Sequence, residues 1–285
     1  MRSIPVWGPV ILNLPYLLPR LVRHFMPEGL TRFLLLRSVV IRPGLETTDP
    51  AAAVSRYVEI LRLRGDTLRD QRVLVFGYGG RFDVGVALLA AGAGHVVLCE
   101  KYTPPDDHHN ALLLGKYGDY LFSDHGKPRP RPERMTLLEG DIGEVHVSVE
   151  FKPLDLIISS SVYEHLEDVE TTTRALAALT RPNGLHIHFV DLRDHFFKYP
   201  FEMLSYSDRV WRGWLNPTSN HNRYRLWDYR RVFEKYFERV EIDVLERYEH
   251  AFQRAKPRIR PEFLSGNLED DSVALIQIVA SRTRK

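Results

Sequence analysis

Five short apolar runs set the rhythm of the chain. They are Val73–Phe76, Val96–Cys99, Thr136–Leu138, Leu154–Ser160 and Leu185–Leu192. Each is nearly continuous rather than alternating, which predicts strands buried on both faces of a parallel sheet. Helical spacing separates them. Val84–Ala91 is a compact apolar helix stopped by Gly92 and Gly94. Ser161–Thr180 is a turn and helix carrying Val162, Leu166, Val169, Leu176 and Leu179. Upstream, Asp49–Leu63 predicts a helix with Asp49 as cap, Pro50 in the first turn, and Val54, Tyr57, Val58 and Leu61 on one face. Downstream, Arg225–Phe237 has an apolar stripe at Leu226, Tyr229, Val232, Phe233 and Phe237. Two last strands follow, Glu238–Leu245 and Ser272–Ala280, separated by the polar excursion Arg247–Asp271. The pattern is α/β, with seven strands, mostly parallel, and an antiparallel edge.

The first strand runs into Gly77-Tyr78-Gly79-Gly80, and the second ends on Glu100. Glycines let the chain turn sharply and let a ligand approach the backbone. A strand-end carboxylate about 20 residues on can accept both hydroxyls of a ribose. The layout predicts a nucleoside-containing cofactor at the carboxyl ends of the strands. A nicotinamide site wants Gly-x-Gly-x-x-Gly, but Phe82 stands at the third position. S-adenosylmethionine has no pyrophosphate and tolerates that looser loop. Asp141, after the third strand, is a second strand-end carboxylate suited to an adenine amine.

Composition narrows the class. A net charge of +2 gives no global electrostatic case for nucleic acid. The single cysteine, Cys99, excludes an internal disulfide framework and suits a reducing cytoplasm. Met1–Gly44 departs from the rest, with six arginines against one acid, Glu28. Its uncharged run Ser3–Pro19 is too short and proline-broken to span a bilayer. Two readings stand for it. It rests peripherally on the inner face of a membrane, or helices around Leu17–Phe25 and Leu30–Val40 pack on the main domain or on a second subunit of a homodimer. Packing is the simpler. Asp106, Asp107, His108 and His109 suggest a metal, but neighbours on one loop rarely converge on one ion, so a capped helix start is expected. His125–Met135 reads as a basic, proline-rich surface loop.

Taken in order, these segments resemble class I S-adenosylmethionine-dependent methyltransferases. VLVFGYGG resembles the glycine-loop motif, with Val75 where the family usually has an acid. Glu100 matches the ribose-binding acid and Gly140–Ile142 the adenine-binding turn. DLIISSSVYEHLEDV and RPNGLHIHFVDL match the fourth- and fifth-strand motifs. The resemblance implies a Rossmann-like class I methyltransferase fold over residues 49–285, preceded by a helical extension, 1–48. It implies a cofactor pocket of Gly77, Tyr78, Gly79, Gly80, Glu100, Lys101, Asp141, Ile142, Ser159 and Ser160. The aromatic segment 196–223 is read as a lid or acceptor-binding insertion. The tail, with Asp194-His195 and Asn222-Arg223-Tyr224-Arg225, is similar to bacterial methyltransferases that accompany polysaccharide or glycolipid assembly. The implied acceptor is a hydroxyl of a sugar, glycolipid or related small molecule.

Methyl transfer from a sulfonium is an in-line displacement, and a hydroxyl acceptor must lose a proton. His195, His165 and His221 are the candidate bases, with Asp191 or Asp194 to orient one of them. His186 and His188 are expected to serve packing. A Mg2+ ion held by Glu164, His165 and an aspartate is a second expectation, although the related Glu-x-x-Glu-His pattern is broken at Ser161. The other classes kept open are a nicotinamide oxidoreductase and a cofactor-binding scaffold without catalysis.

Overall fold

The computed structural model describes residues 13–27, 30, 45–143, 152–196 and 198–284. Its centre is a seven-stranded sheet. The strands are β1 (Arg72–Phe76), β2 (His95–Glu100), β5 (Met135–Glu139), β6 (Leu154–Ser160), β7 (Thr180–Asp191), β8 (Phe237–Arg247) and β9 (Val273–Thr283). The order is β5-β2-β1-β6-β7-β9-β8. Strands β5, β2, β1, β6 and β7 pair in parallel, and β9 runs antiparallel to both β7 and β8. The one reversed strand is therefore β9, which slots between β7 and the edge strand β8. The seven strands expected from the apolar runs are those of this sheet.

The period-two geometry explains the continuous runs. Val73 and Val75 face one apolar layer with Val54, Tyr57 and Leu61 of α2 (Pro50–Leu63) and with Val86 and Leu89 of α3 (Asp83–Ala90). Leu74 and Phe76 face the other, with Leu176 of α5 (Val169–Leu179) and Val232 and Phe233 of α6 (Leu226–Tyr236). Helix α2 starts as predicted, with the Asp49 carboxylate accepting from Ala52 N at 2.9 Å. The Pro182-Asn183-Gly184 turn lies inside β7: Leu154 faces Thr180 but Leu156 faces Leu185, so 181–184 bulge from the ladder.

A third apolar cluster sits apart from these layers. Phe201, Met203, Leu204, Trp211 and Leu215 pack with Phe252, Ala255 and Ile259, and Leu17 and Leu21 of α1 (Leu14–His24) close against them. The excursion between the last two strands is thus no free loop. It joins the 196–223 insertion and α1 in one body. No helix among the described residues is long and apolar enough to cross a membrane. The expected helix at Leu30–Val40 lies outside the described residues, apart from Leu30.

One expectation is corrected. Lys127–Pro130 of the basic, proline-rich loop forms strand β4, paired antiparallel with β3 (Leu121–Asp124). His125 and Gly126 both have positive φ, 46° and 78°, as a two-residue hairpin turn requires. Pro128 and Pro130 are tolerated because a two-stranded ribbon leaves one side of each strand unpaired.

Candidate functional site

The glycine loop and the strand-end acids converge at one edge of the sheet. Gly77, Gly79 and Gly80 all have positive φ, the region that favours glycine. A Cβ at Gly77 would meet Val162 at 2.4 Å, and one at Gly80 would meet the Pro104 carbonyl at 2.4 Å. Gly79 has nothing within 4 Å of that position, so the open side of the loop is there. Its N–H donates to Glu100 Oε2 at 3.1 Å, while Glu100 Oε1 accepts from Lys101 N and Tyr102 N at 3.0 Å each. On the neighbouring strand end, Asp141 accepts from Lys101 Nζ at 3.0 Å and from Gly143 N at 2.9 Å. Partial burial works to raise the Asp141 carboxyl, but Lys101 and the Gly143 amide outweigh it and hold it below its ordinary value.

The other expected pocket residues divide. Tyr78 is buried and its ring stacks on Phe82. Ile142 is buried among apolar side chains. Ser160 is half-buried at the tip of β6, but the Ser159 hydroxyl turns inward and bonds His188 Nδ1 at 2.7 Å. One contributor had no sequence signal. The side chain of Asn110, in α4 (Asp107–Ala111), donates to Gly80 O and accepts from Phe82 N, both at 2.9 Å. It braces the glycine loop from beneath. As expected, Asp106 caps α4, accepting from His109 N at 3.0 Å, and His109 Nε2 bonds Asp83 rather than joining a cluster.

Beyond the ends of β6 and β7 three imidazoles meet. His165 lies on the single turn Tyr163–His165 after β6, His195 follows β7, and His221 comes from the insertion. Each can present a ring nitrogen within 4.8 Å of those of the other two. Ring centroids are 4.9 Å apart for His165–His195 and 4.6 Å for His195–His221. His165 Nδ1 donates to Asn220 O at 2.8 Å, where Asn220 has a φ of 49°. Both ring nitrogens of His221 are buried without a hydrogen-bond partner. Glu164 is likewise buried, with Oε1 3.9 Å from His195 Nε2 and its carboxylate near the Glu164 and Asp191 amides and the Ser161 hydroxyl. Burial pushes all three histidines below their ordinary value, aided at His195 and His221 by the neighbouring imidazoles and by Arg20 and Arg23. Burial first, and then Asp191, pushes Glu164 well above the usual carboxylate range.

The two aspartates are engaged elsewhere. Asp191 takes both arms of Arg193 at 2.8 Å, and Arg193 also reaches Glu246 and the Tyr248 hydroxyl. Asp194 accepts from Tyr16 Oη at 2.6 Å, pairs with Arg20 and accepts from Phe196 N. Neither carboxylate orients a histidine through a direct hydrogen bond. The oxygen-rich set that Mg2+ prefers is therefore not assembled around Glu164 and His165.

Helix α1 roofs this region, 178 residues away from Asp194 in sequence. Its Arg20 guanidinium lies over Trp211, whose Nε1 donates to His221 O at 3.1 Å. His24 Nδ1 donates to Asn216 O at 2.7 Å. The Asn222–Arg225 segment pins the insertion to the sheet. Asn222 Nδ2 donates to Tyr163 O at 2.7 Å, and Arg225 Nη2 donates to Asp271 O at 2.8 Å and Val273 O at 3.0 Å. His186 and His188 stand outside the cluster. His186 Nδ1 and His188 Nε2 are 3.2 Å apart, and His186 Nε2 bonds Thr180 Oγ1 at 2.8 Å. Since Thr180 donates to Leu176 O, the chain has one direction: Ser159 donates to His188, His188 to His186, and His186 to Thr180. Both imidazoles are internal structure, as expected.

By sequence, no protein-family model and no curated protein matches the chain. Solved structures do. A SAM-dependent methyltransferase from Archaeoglobus fulgidus superposes with a TM-score of 0.51 at 14% identity, over 87% of this chain and 99% of that one. A Haemonchus contortus phosphoethanolamine N-methyltransferase, in complex with phosphomonomethylethanolamine and S-adenosylhomocysteine, superposes with a TM-score of 0.50 at 15% identity. That match covers 93% of this chain and 60% of the other. At such identities the likeness speaks to the fold alone: the chain has the Rossmann-like α/β fold, a mostly parallel seven-stranded sheet, found in methyltransferases of known structure.

Proposed function

We propose that the chain is an S-adenosylmethionine-dependent methyltransferase. The observation that carries this reading is the meeting of Gly79, Glu100 and Asp141 at the carboxyl ends of adjacent parallel strands, on this strand order. The backbone amides bonded to Glu100 fill Oε1 and leave a lone pair on Oε2 for a ribose hydroxyl, and Asp141 lies one strand further along for the adenine amine. The loop glycine that stays open, Gly79, is where the donor lies against the backbone. The acceptor enters beside the imidazoles under α1 and the 196–223 insertion. Its hydroxyl oxygen attacks the sulfonium methyl carbon, the carbon–sulfur bond breaks, and S-adenosylhomocysteine leaves. The hydroxyl proton goes to a neutral imidazole, with His195 the first choice because it lies nearest Glu164. A hydroxyl of a sugar or glycolipid is the acceptor class, on the likeness of the tail segments to methyltransferases of polysaccharide assembly.

Calorimetric titration with S-adenosylmethionine, S-adenosylhomocysteine and NADH tests the donor. Saturable binding of the first two alone supports the reading. Binding of NADH alone makes the chain an oxidoreductase and overturns it.

A further inference from the structure

We propose that His165, His195 and His221 are the ligands of a transition-metal ion of the zinc class, with Glu164 as the carboxylate beside it. This does not depend on the donor assignment, but it changes the role of His195: with the ion bound, its lone pair is on the metal and is no longer free to take the acceptor's proton. Three separate segments, the ends of β6 and β7 and the insertion, bring three nitrogens within 4.8 Å of one another. Tetrahedral Zn–N bonds of ~2.0–2.1 Å would need them about 3.4 Å apart, so modest side-chain rotations complete the site.

Two features of the cluster are otherwise unexplained. His221 is 1% exposed, with both ring nitrogens unpartnered, and Glu164 is 1% exposed, with no cationic partner among the described residues beyond His195 Nε2 at 3.9 Å. Buried polar groups are nearly always satisfied, and leaving them bare is costly. An ion drawing on a His221 nitrogen, with Glu164 as fourth ligand or balancing charge, resolves both. The bond from His165 Nδ1 to the Asn220 carbonyl fixes its tautomer and leaves Nε2 as the coordinating lone pair. The nearby arginines do not forbid a cation. Arg20 is paired with Asp194, and Arg193 with Asp191 and Glu246, while Arg23 acts on His195 and His221 as the remaining positive charge. Nitrogen donors select Zn2+, Co2+, Ni2+ or Fe2+ over Mg2+ and Ca2+.

The test uses the full chain without a histidine tag, stripped with EDTA and titrated with Co2+. The expected result is saturable uptake with visible d–d absorption, abolished by equimolar Zn2+ and untouched by excess Mg2+. His221→Gln should weaken Co2+ binding on the order of 100-fold or more, and so should His195→Gln. His125→Gln, at an exposed hairpin turn, should leave it unchanged. Circular dichroism of the stripped variants checks folding, and His195→Gln decides the matter if His221→Gln does not fold. Absence of uptake by the wild-type chain, equal uptake by the folded cluster variants, or displacement by Mg2+ would overturn the proposal. S-adenosylmethionine titration of the stripped protein separates this failure from failure of the donor assignment.

Discussion

At the residue scale, two glycines of one loop do different work. Gly77 has a φ of 79° and no room beside Val162. Gly77→Ala should cost the fold about 2–4 kcal/mol, from left-handed strain of ~1–2 kcal/mol plus displacement of Val162, read in denaturant unfolding. Gly79 has a φ of 65° but open space ahead of it. Gly79→Arg should cost only the left-handed strain, about 1–2 kcal/mol, yet abolish S-adenosylmethionine binding. Unchanged binding in that variant would mean that the donor lies elsewhere. Glu100→Gln removes the charge that the ribose hydroxyls would meet. A hydrogen bond to a charged group is worth ~1.5–3 kcal/mol, so affinity should fall by roughly 10- to 100-fold. The glycines and both carboxylates were readable in the sequence because each is tied to a strand end that its own apolar run declares. Asn110 was not, because its partners, Gly80 and Phe82, are some thirty residues upstream.

Helix α1 carries the main surprise at the element scale. The sequence offered a membrane face or a packed helix, and α1 packs, placing Tyr16 and Arg20 against Asp194. Asp194 then anchors the roof over the imidazoles. Tyr16→Phe removes one donor from a buried carboxylate and should destabilise by about 1.5–3 kcal/mol. Asp194→Ala leaves Arg20 buried without its partner and should cost about 3–5 kcal/mol. Limited proteolysis should cut within 13–27 sooner in either variant than in the wild type. Equal resistance would show that α1 is held without Asp194, by its apolar contacts and the His24 bond to Asn216. Leu14, Leu18, Val22 and Phe25 remain exposed on the opposite side of the helix, beside the exposed Trp214.

For the whole molecule, the buried histidines link stability to pH, His186 and His188 of the inner chain acting in the same direction as the lowered His165, His195 and His221. Burial lowers His186 to about 3 and His188 well below its ordinary value. Between those values and the unfolded value of about 6.5, the unfolded chain binds more protons than the native one. Stability should therefore be full above pH 6.5 and fall as pH drops from 6.5 toward 3, by up to ~1.4 kcal/mol per pH unit for each histidine. Glu164 acts with the opposite sign. Its raised native value means that stability falls as pH rises above the unfolded carboxyl value, which blunts the slope without reversing it while both histidines titrate. Thermal unfolding of the metal-free chain from pH 7.5 to 4.5 checks this. A melting temperature that rises on acidification would contradict the neutral state of the buried histidines.

The sequence by itself determined what depends on local pattern. The seven strands, the helices between them, the glycine turn and the strand-end acids follow from apolar periodicity and backbone permissiveness, which neighbours in the chain suffice to express. Only tertiary structure decided which polar groups found each other. Asp191 and Asp194 lie beside the candidate histidines in sequence, yet Arg193 and the distant Tyr16 and Arg20 claim them. His165, His195 and His221 were readable as candidates at two strand ends and in the insertion, 56 positions apart at most, but that all three rings meet was not. They meet because parallel strands β6 and β7 end side by side and the insertion folds back over that edge. Contacts of this kind are made by chain crossing, and the pattern along the chain carries no record of them.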